Sequence, residues 1–328
     1  MSHETVWQPA CSHELLLRRA RLNAVIRQFF GARAVLEVET PLLSRATGTD
    51  PGLSPFVTTF SWPGQAVGCD LYLQTSPEFA MKRLLAAGSG DIFQICKAFR
   101  NEESGRHHNP EFSLLEWYRT GFSLFDLMAE IEALVAELFG QTLMAPERYA
   151  YGDIFSRYIE LDPLTASIDE FDARARVLGL VEAAELCGDD RTVWLDILFS
   201  HFVQPHLGRN RLTAVYHYPA FMPSLASVCA HDGRLVERVE VFMAGMELGN
   251  GFHELADAVE QSARFNADCD RRKALNLPVY PQDERLLSAL RKGLPDCSGV
   301  AIGLDRLLMV WCQAESIDSV LAFPLSRC

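Results

Sequence analysis

Apolar positions along the chain recur with two periods, and each stretch points to an element. Ser12 can cap a first helix with Glu14 in its opening turn; Leu15, Leu22, Ile26 and Phe29 then return on one face until Gly31. Val35 to Val38, ahead of Pro41, reads as a strand stopped by a proline, and Thr47 to Pro55, rich in Gly and Pro, reads as a loop. Ile92 to Asn101 and Phe112 to Tyr118 are largely apolar around the polar Glu103 to Pro110, the pattern of a long hairpin. Phe122 to Phe139 and Ile168 to Gly188 read as helices, so the region from about 120 to 210 is expected to be a mainly helical insertion. Strands return at Thr213 to Tyr218, Val236 to Phe242 and Gly299 to Ile302. Hairpin-linked strands among helices predict an α+β fold with an antiparallel sheet flanked by helices. With no internal repeat or low-complexity run, one domain over 1–328 is expected.

Composition narrows the class. At 48% hydrophobic residues the chain can bury a large core. Its apolar runs, such as Leu307 to Cys312, fall far short of the roughly 20 residues a membrane span needs. The start Met1-Ser2-His3-Glu4 lacks a signal pattern, so a cytoplasmic location is expected. Nine cysteines stand singly with no Cys-x-x-Cys pair, which favours reduced structural thiols over a zinc site or disulfide framework. A net charge of −13 opposes the broad basic surface that nucleic-acid binding needs and tilts the expectation toward a small-molecule or protein substrate.

Three segments concentrate chemistry. Phe99 to Phe112, continuing to Glu116-Trp117-Tyr118, puts many charges inside a strand pair. Strand alternation would set Arg100 and Glu102 on one face, and Phe112, Glu116 and Tyr118 on one face of the partner strand. Arginine offers a fixed fork of donors to phosphate and phenylalanine a flat surface to a base. A solvated charged hairpin would not embed Glu116 and Tyr118 among Leu114, Leu115 and Trp117. In the second segment, Val236 to Leu255, Ala244-Gly245 can close a two-residue hairpin that brings Glu240 and Glu247 together. Two close carboxylates repel unless a cation lies between them, and hard oxygens beside a phosphate site suit Mg2+; an exposed acidic hairpin is the plainer alternative. In the third segment, Asp296 to Met309, a glycine-spaced strand runs into a helix that begins near Arg306. Alone it would pass for tight strand packing.

Together the three segments resemble class II aminoacyl-tRNA synthetases, with the first and third similar to signature motifs two and three and Val35 to Pro41 similar to motif one. The lysine type matches best, through Ser76-Pro77-Glu78, Phe99-Arg100-Asn101-Glu102, His108-Asn109-Pro110-Glu111-Phe112, Glu116 with Tyr118, and Glu247-Leu248-Gly249-Asn250-Gly251-Phe252 with Glu254. The resemblance, over about residues 12 to 326, implies ATP and Mg2+ as cofactors. By it Arg100 holds the α-phosphate, Glu102 reads the adenine edge, and Phe112 and Arg306 sandwich the ring, with Arg100 and Arg306 catalytic. His108 and Asn109 face the remaining phosphates and ribose, Asn101, Leu248 and Gly303 join the ATP set, and Glu240 and Glu247 hold Mg2+. Ser76, Pro77 and Glu78 meet the substrate's amino end, while Glu116, Tyr118 and Glu254 surround a distal ammonium, as a buried cation requires.

Two departures refine the resemblance. Only about 30 residues precede the first motif, where lysyl-tRNA synthetases carry an anticodon-binding barrel of on the order of a hundred. Ala301 stands where they have glycine and His253 where they usually have serine. A methyl at the pocket floor would crowd an α-amino acid and favour an amino group one carbon further on. The pattern is similar to the elongation factor P lysine ligase family, paralogues of lysyl-tRNA synthetase. This implies adenylation of (R)-β-lysine, less well of L-lysine, and transfer to a lysine ε-amine of elongation factor P, without tRNA, by a homodimer. An asparagine synthetase-like paralogue would need cations where Glu116 and Glu254 stand; an inactive regulatory remnant would not need Arg100, Glu240, Glu247 and Arg306 intact. Arg106, His107, Arg271, Arg272 and Lys273 are candidates for the acceptor patch.

Overall fold

The computed structural model describes residues 7–64, 67–222 and 225–328; Met1-Ser2-His3-Glu4 lies outside them. The chain forms two compact units, one from 1–121 with 256–328, the other from 122–255.

The first unit opens with α1 (His13–Gly31), which Ser12 caps by accepting from the Leu15 N–H (3.3 Å). It buries Leu22, Ile26, Phe29 and Phe30. Then come β1 (Leu36–Glu37), β2 (Leu43–Ser44), β3 (Val57–Phe60), β4 (Cys69–Leu73), α2 (Glu78–Ala86), β5 (Ile92–Phe99) and β6 (Glu111–Thr120). The second unit holds α3 (Leu124–Phe139), β7 (Glu147–Ala150), α4 (Tyr151–Ile159), α5 (Ile168–Val177), α6 (Ala183–Cys187), α7 (Arg191–Leu198), β8 (Thr213–Pro219), β9 (Leu235–Met243) and β10 (Met246–His253). The chain returns to the first unit with α8 (Ala258–Ala274), α9 (Glu284–Lys292), β11 (Cys297–Gly303) and α10 (Leu304–Cys312).

In the first unit the strands run in the order β1-β5-β6-β11, with a small β2-β4-β3 sheet alongside. Only β1 lies parallel to its neighbour, with Leu36 opposite Ile92. β5 and β6 form the expected long hairpin, Gln94 opposite Glu116, and β6 continues onto β11. Phe30 of α1 stacks on Phe93 (4.6 Å) and leans on Trp117 (5.2 Å), so the helix is fixed to this hairpin by aromatic packing. In the second unit the order is β10-β9-β8-β7, antiparallel except for β7 on β8. Its core gathers Tyr151, Phe155, Phe171, Trp194 and Phe199 from the helices with Val215, Tyr218 and Phe242 from the strands. Capping boxes, Ser123 with Asp126 and Ser167 with Glu170, start α3 and α5.

The helix expected over Ile168 to Gly188 is two, α5 and α6, because Gly179 takes φ +95° and ends the first. The strand expected from Val35 to Val38 is two residues long. No helix among the described residues is long and apolar enough to cross a membrane.

Candidate active site

The residues singled out in the sequence divide between the two units. In the first, β5 ends at Phe99. Arg100 then donates its N–H to Pro110 O (2.9 Å), Asn101 donates to Ser54 O (2.7 Å), and Glu102 takes a left-handed φ of +70°. The alternation that would set Arg100 and Glu102 on one strand face is therefore absent, since the strand stops before either. Glu102 is held from two sides instead: its N–H donates to Asn101 Oδ1 (3.0 Å) and its carboxylate accepts from Ser54 Oγ (3.2 Å). The Thr47 to Pro55 loop thus reaches Glu102.

Arg100 and Phe112 do converge, the guanidinium lying 5.1 Å from the ring centroid. Arg100 also pairs with Glu103 at 3.6 Å. Arg306, in the first turn of α10, donates to His107 O (3.2 Å) and meets His108 Nε2 at 2.6 Å. Burial, with Arg306 adding, holds the His108 imidazole below its ordinary range, and burial followed by Arg106 does the same to His107. Asn109 is buried with its amide used internally, donating to Glu111 O (2.6 Å) and accepting from Leu325 N–H (3.0 Å). In this conformation it fixes the loop. Gly303 closes β11 at φ −69°, so no left-handed turn explains the glycine there.

Glu116 and Tyr118 point from β6 into one buried place, where the Tyr118 hydroxyl donates to Glu116 Oε1 (2.7 Å). Ala301 on β11 lies directly opposite Glu116, which sets its methyl beside that carboxylate. Glu78 follows Ser76 and Pro77 as the first residue of α2, and its carboxylate meets Lys82 Nζ at 2.6 Å. Lys82 is 2% exposed, and the sequence reading missed it. Its i, i+4 spacing from Glu78 was the available signal.

In the second unit Ala244 and Gly245 close the β9–β10 hairpin at φ +53° and +72°, with Glu247 opposite Phe242 as expected. A bulge at Leu248 then shifts the register, so Asn250, and not Gly249, stands opposite Glu240. Glu240 accepts from the Tyr218 hydroxyl (2.7 Å) and from Arg238. Burial pushes the Glu240 carboxyl up; Arg238 opposes this and Glu247 adds to it. Glu247 thus acts electrostatically on Glu240, while Arg238 is the resident cation bonded to it. Arg238 also donates to Asn250 Oδ1 (3.1 Å) and lies 4.6 Å from the Tyr218 ring centroid. Arg238 and Tyr218 were missed as partners of Glu240. Glu254 is 6% exposed and bridges Ala226 through the backbone. The hard oxygens of Glu240 and Glu247 fit Mg2+.

Of the residues expected at an acceptor patch, Arg272 is excluded. It is fully buried, donating to Pro278 O (2.5 Å), Asp50 O (2.7 Å) and Leu53 O (3.2 Å), and so it ties the Thr47 to Pro55 loop to α8.

In the first unit an arginine lies against a phenylalanine after one strand and a second arginine stands in the first turn of the helix that follows another, groups whose chemistry suits phosphate and a base; in the second unit the β9–β10 hairpin carries two carboxylates. Residues 7–327 match the family of class II tRNA synthetases (D, K and N), and the chain belongs to it. It is 50% identical over 328 residues, the full length of both chains, to the elongation factor P--(R)-beta-lysine ligase of Pectobacterium carotovorum. It is 49% identical over 327 residues, again the full length of both, to the ligase of the same name from Salmonella dublin.

Proposed function

We propose that the chain is an ATP-dependent, AMP-forming ligase that adenylates (R)-β-lysine, and L-lysine less well, and passes it to the ε-amine of a lysine on elongation factor P. The observation that carries the substrate side is the buried Glu116, held by Tyr118 and flanked by Ala301. A buried carboxylate suits a cationic side-chain end, since an ammonium taken out of water needs an opposite charge. The full-length identity to ligases of that name supports the same substrate.

The substrate carboxylate attacks the α-phosphorus of ATP, pyrophosphate leaves, and the acceptor amine then attacks the acyl carbonyl to release AMP. Arg100 stabilises charge on the α-phosphate, while Phe112 and Arg306 carry the adenine, with Asn101, Glu102, Leu248 and Gly303 beside the nucleotide. Glu240 and Glu247 would hold Mg2+, which would supply positive charge to offset that of the leaving pyrophosphate. For it to bind, Arg238 must give up or share Glu240. Glu78 serves the substrate amino group, with Ser76 and Pro77 shaping that end, and Glu254 carries the second carboxylate for the ammonium. A translation-factor acceptor would place the enzyme in the cytoplasm, with no part for tRNA.

ATP–pyrophosphate exchange with (R)-β-lysine, L-lysine, aspartate and asparagine tests this reading. Exchange should be strongest with β-lysine, and Glu116→Gln should lower it by about two orders of magnitude, the scale of one lost charge-assisted contact. Ala301→Gly should improve the use of L-lysine. Exchange confined to aspartate or asparagine, or no ATP-dependent mass gain on elongation factor P, would sink the proposal.

A further inference from the structure

We propose that His217, Cys229 and Glu237, in the second unit, form a binding site for one zinc ion, separate from the carboxylates of Glu240 and Glu247. The three ligand atoms all lie within 4.8 Å of one another. His217 Nε2 and Glu237 Oε2 are 3.3 Å apart, close to the edge that two ligands at about 2.0–2.1 Å subtend on a tetrahedral ion. Zinc–sulfur bonds are about 2.3 Å long, so closing Cys229 Sγ onto the same ion needs a shift of at most about 1 Å.

The backbone holds these groups in place. His217 sits at the irregularity where β8 pairs with β9, and it takes a left-handed φ of +57°. For a histidine this conformation is costly, and such strain persists where the surroundings impose it. Cys229 follows Val228, which bridges Val236, and its N–H donates to Leu235 O (2.9 Å). Glu237 donates its own N–H to Ser227 O (2.9 Å). The ligands thus come from three backbone segments already paired to one another. His217 and Glu237 are about one-fifth exposed and Cys229 is buried, so an ion could enter and stay shielded.

The donor set selects the metal. A neutral imidazole, a thiolate and a carboxylate cancel the charge of a divalent ion, and sulfur with nitrogen favours zinc over magnesium. In the metal-free protein the Cys229 thiol donates to Glu237 while burial pushes it up to about 12, so binding releases that proton to solvent. Three protein ligands leave a fourth position for water, and His253 on β10 lies within electrostatic reach of Glu237. The contacts of Glu240 with Arg238 and Tyr218 share no residue with this cluster. Ser227, two residues before Cys229, binds the His253 carbonyl through its N–H (2.9 Å) and hydroxyl (3.1 Å). An ion at Cys229 would therefore clamp the segment that pairs beside Glu254.

The test is titration of chelator-stripped full-length protein with Zn2+ and with Co2+ as a spectroscopic stand-in. One equivalent should bind, Co2+ should give a thiolate-to-metal charge-transfer band, and zinc should raise the melting midpoint. Cys229→Ser, nearly isosteric, and His217→Ala should each lose the band and the melting shift, whereas Glu240→Gln should keep both. Absence of stoichiometric zinc, a cobalt spectrum without the thiolate band, or a band that survives in Cys229→Ser would overturn the proposal. Because the readouts are metal content and spectrum, they stand or fall apart from the ligase activity.

Discussion

Asp305 joins three elements through one carboxylate that is 1% exposed. Oδ2 accepts from the Ser113 N–H on β6 (2.7 Å) and Oδ1 from Arg19 on α1 (2.5 Å), while the residue itself opens α10 next to Arg306. Removing one partner of a buried charge pair leaves the other uncompensated, so Asp305→Ala should cost about 3–5 kcal/mol in denaturant titrations. Asp305→Asn, which can still accept from Ser113, should fall between it and the parent; a loss under about 1 kcal/mol for the alanine variant would refute the assignment. His108 offers a pH prediction. With its pKa held below the ordinary value by burial and Arg306, it is neutral at pH 7 in the free protein, and an ATP phosphate bound beside it, as proposed, would favour the protonated form. ATP binding should then take up a proton, and affinity should strengthen as pH falls from 8 to 6, by up to about tenfold for each unit the pKa rises. Calorimetry in buffers of different ionisation enthalpy reads the uptake directly, and His108→Asn should abolish it. At this scale the sequence revealed the charged residues but not their resident partners. Lys82 on Glu78 and Arg238 on Glu240 each have a local spacing, i, i+4 on a helix and i, i+2 on a strand, but spacing alone does not say that the pair is buried.

The β9–β10 hairpin carries Glu240 and Glu247, and its turn is gripped from outside by Leu207 and Gly208. Ala244 N–H donates to Gly208 O (2.8 Å) and Gly245 N–H to Leu207 O (2.9 Å). Gly208 has φ +71°, and a Cβ there would stand 2.3 Å from Met243 Cα and 2.6 Å from Phe242 O. Backbone atoms cannot yield as a flexible side chain can, so Gly208→Ala should cost on the order of 3 kcal/mol and raise the Mg2+ needed for half-maximal exchange. Ala244→Gly, which removes the left-handed strain at φ +53°, should stay within about 1 kcal/mol of the parent. An unchanged Mg2+ dependence in a folded Gly208→Ala would separate the turn from the metal ligands. The hairpin was legible because Ala-Gly sits between two alternating apolar runs; the bulge at Leu248 was not, since an extra residue leaves no mark in composition. β3 went unseen because all four of its residues are exposed, which erases the alternation that reveals a half-buried strand. The break between α5 and α6 was hidden by apolar positions that continue past Gly179, where Ala183 and Cys187 are buried.

At the scale of the whole molecule, the net charge of −13 and the exposed apolar residues near the N-terminal end make separate demands. The charge disfavours retention on nucleic acid and puts the recognition of an acceptor lysine on local features, which Arg272, being buried, cannot supply. The apolar residues concern self-association. Trp7, Leu17 and Leu36 are 77%, 58% and 57% exposed, the last on β1, an edge strand of the first unit. Exposed apolar side chains on an edge strand and the helix before it invite a second copy of the same surface. The resemblance to class II synthetases implies a homodimer through the motif-one helix and strand, and we propose that pairing for this chain. Sedimentation at micromolar concentration should find a dimer. Leu36→Asp should weaken it by at least about tenfold, because a charge buried without a partner at the interface costs more than the roughly 1.4 kcal/mol that a tenfold change represents. A parent protein that sediments as a monomer would remove the dimer from the account, and a variant that stays dimeric would move the interface away from β1.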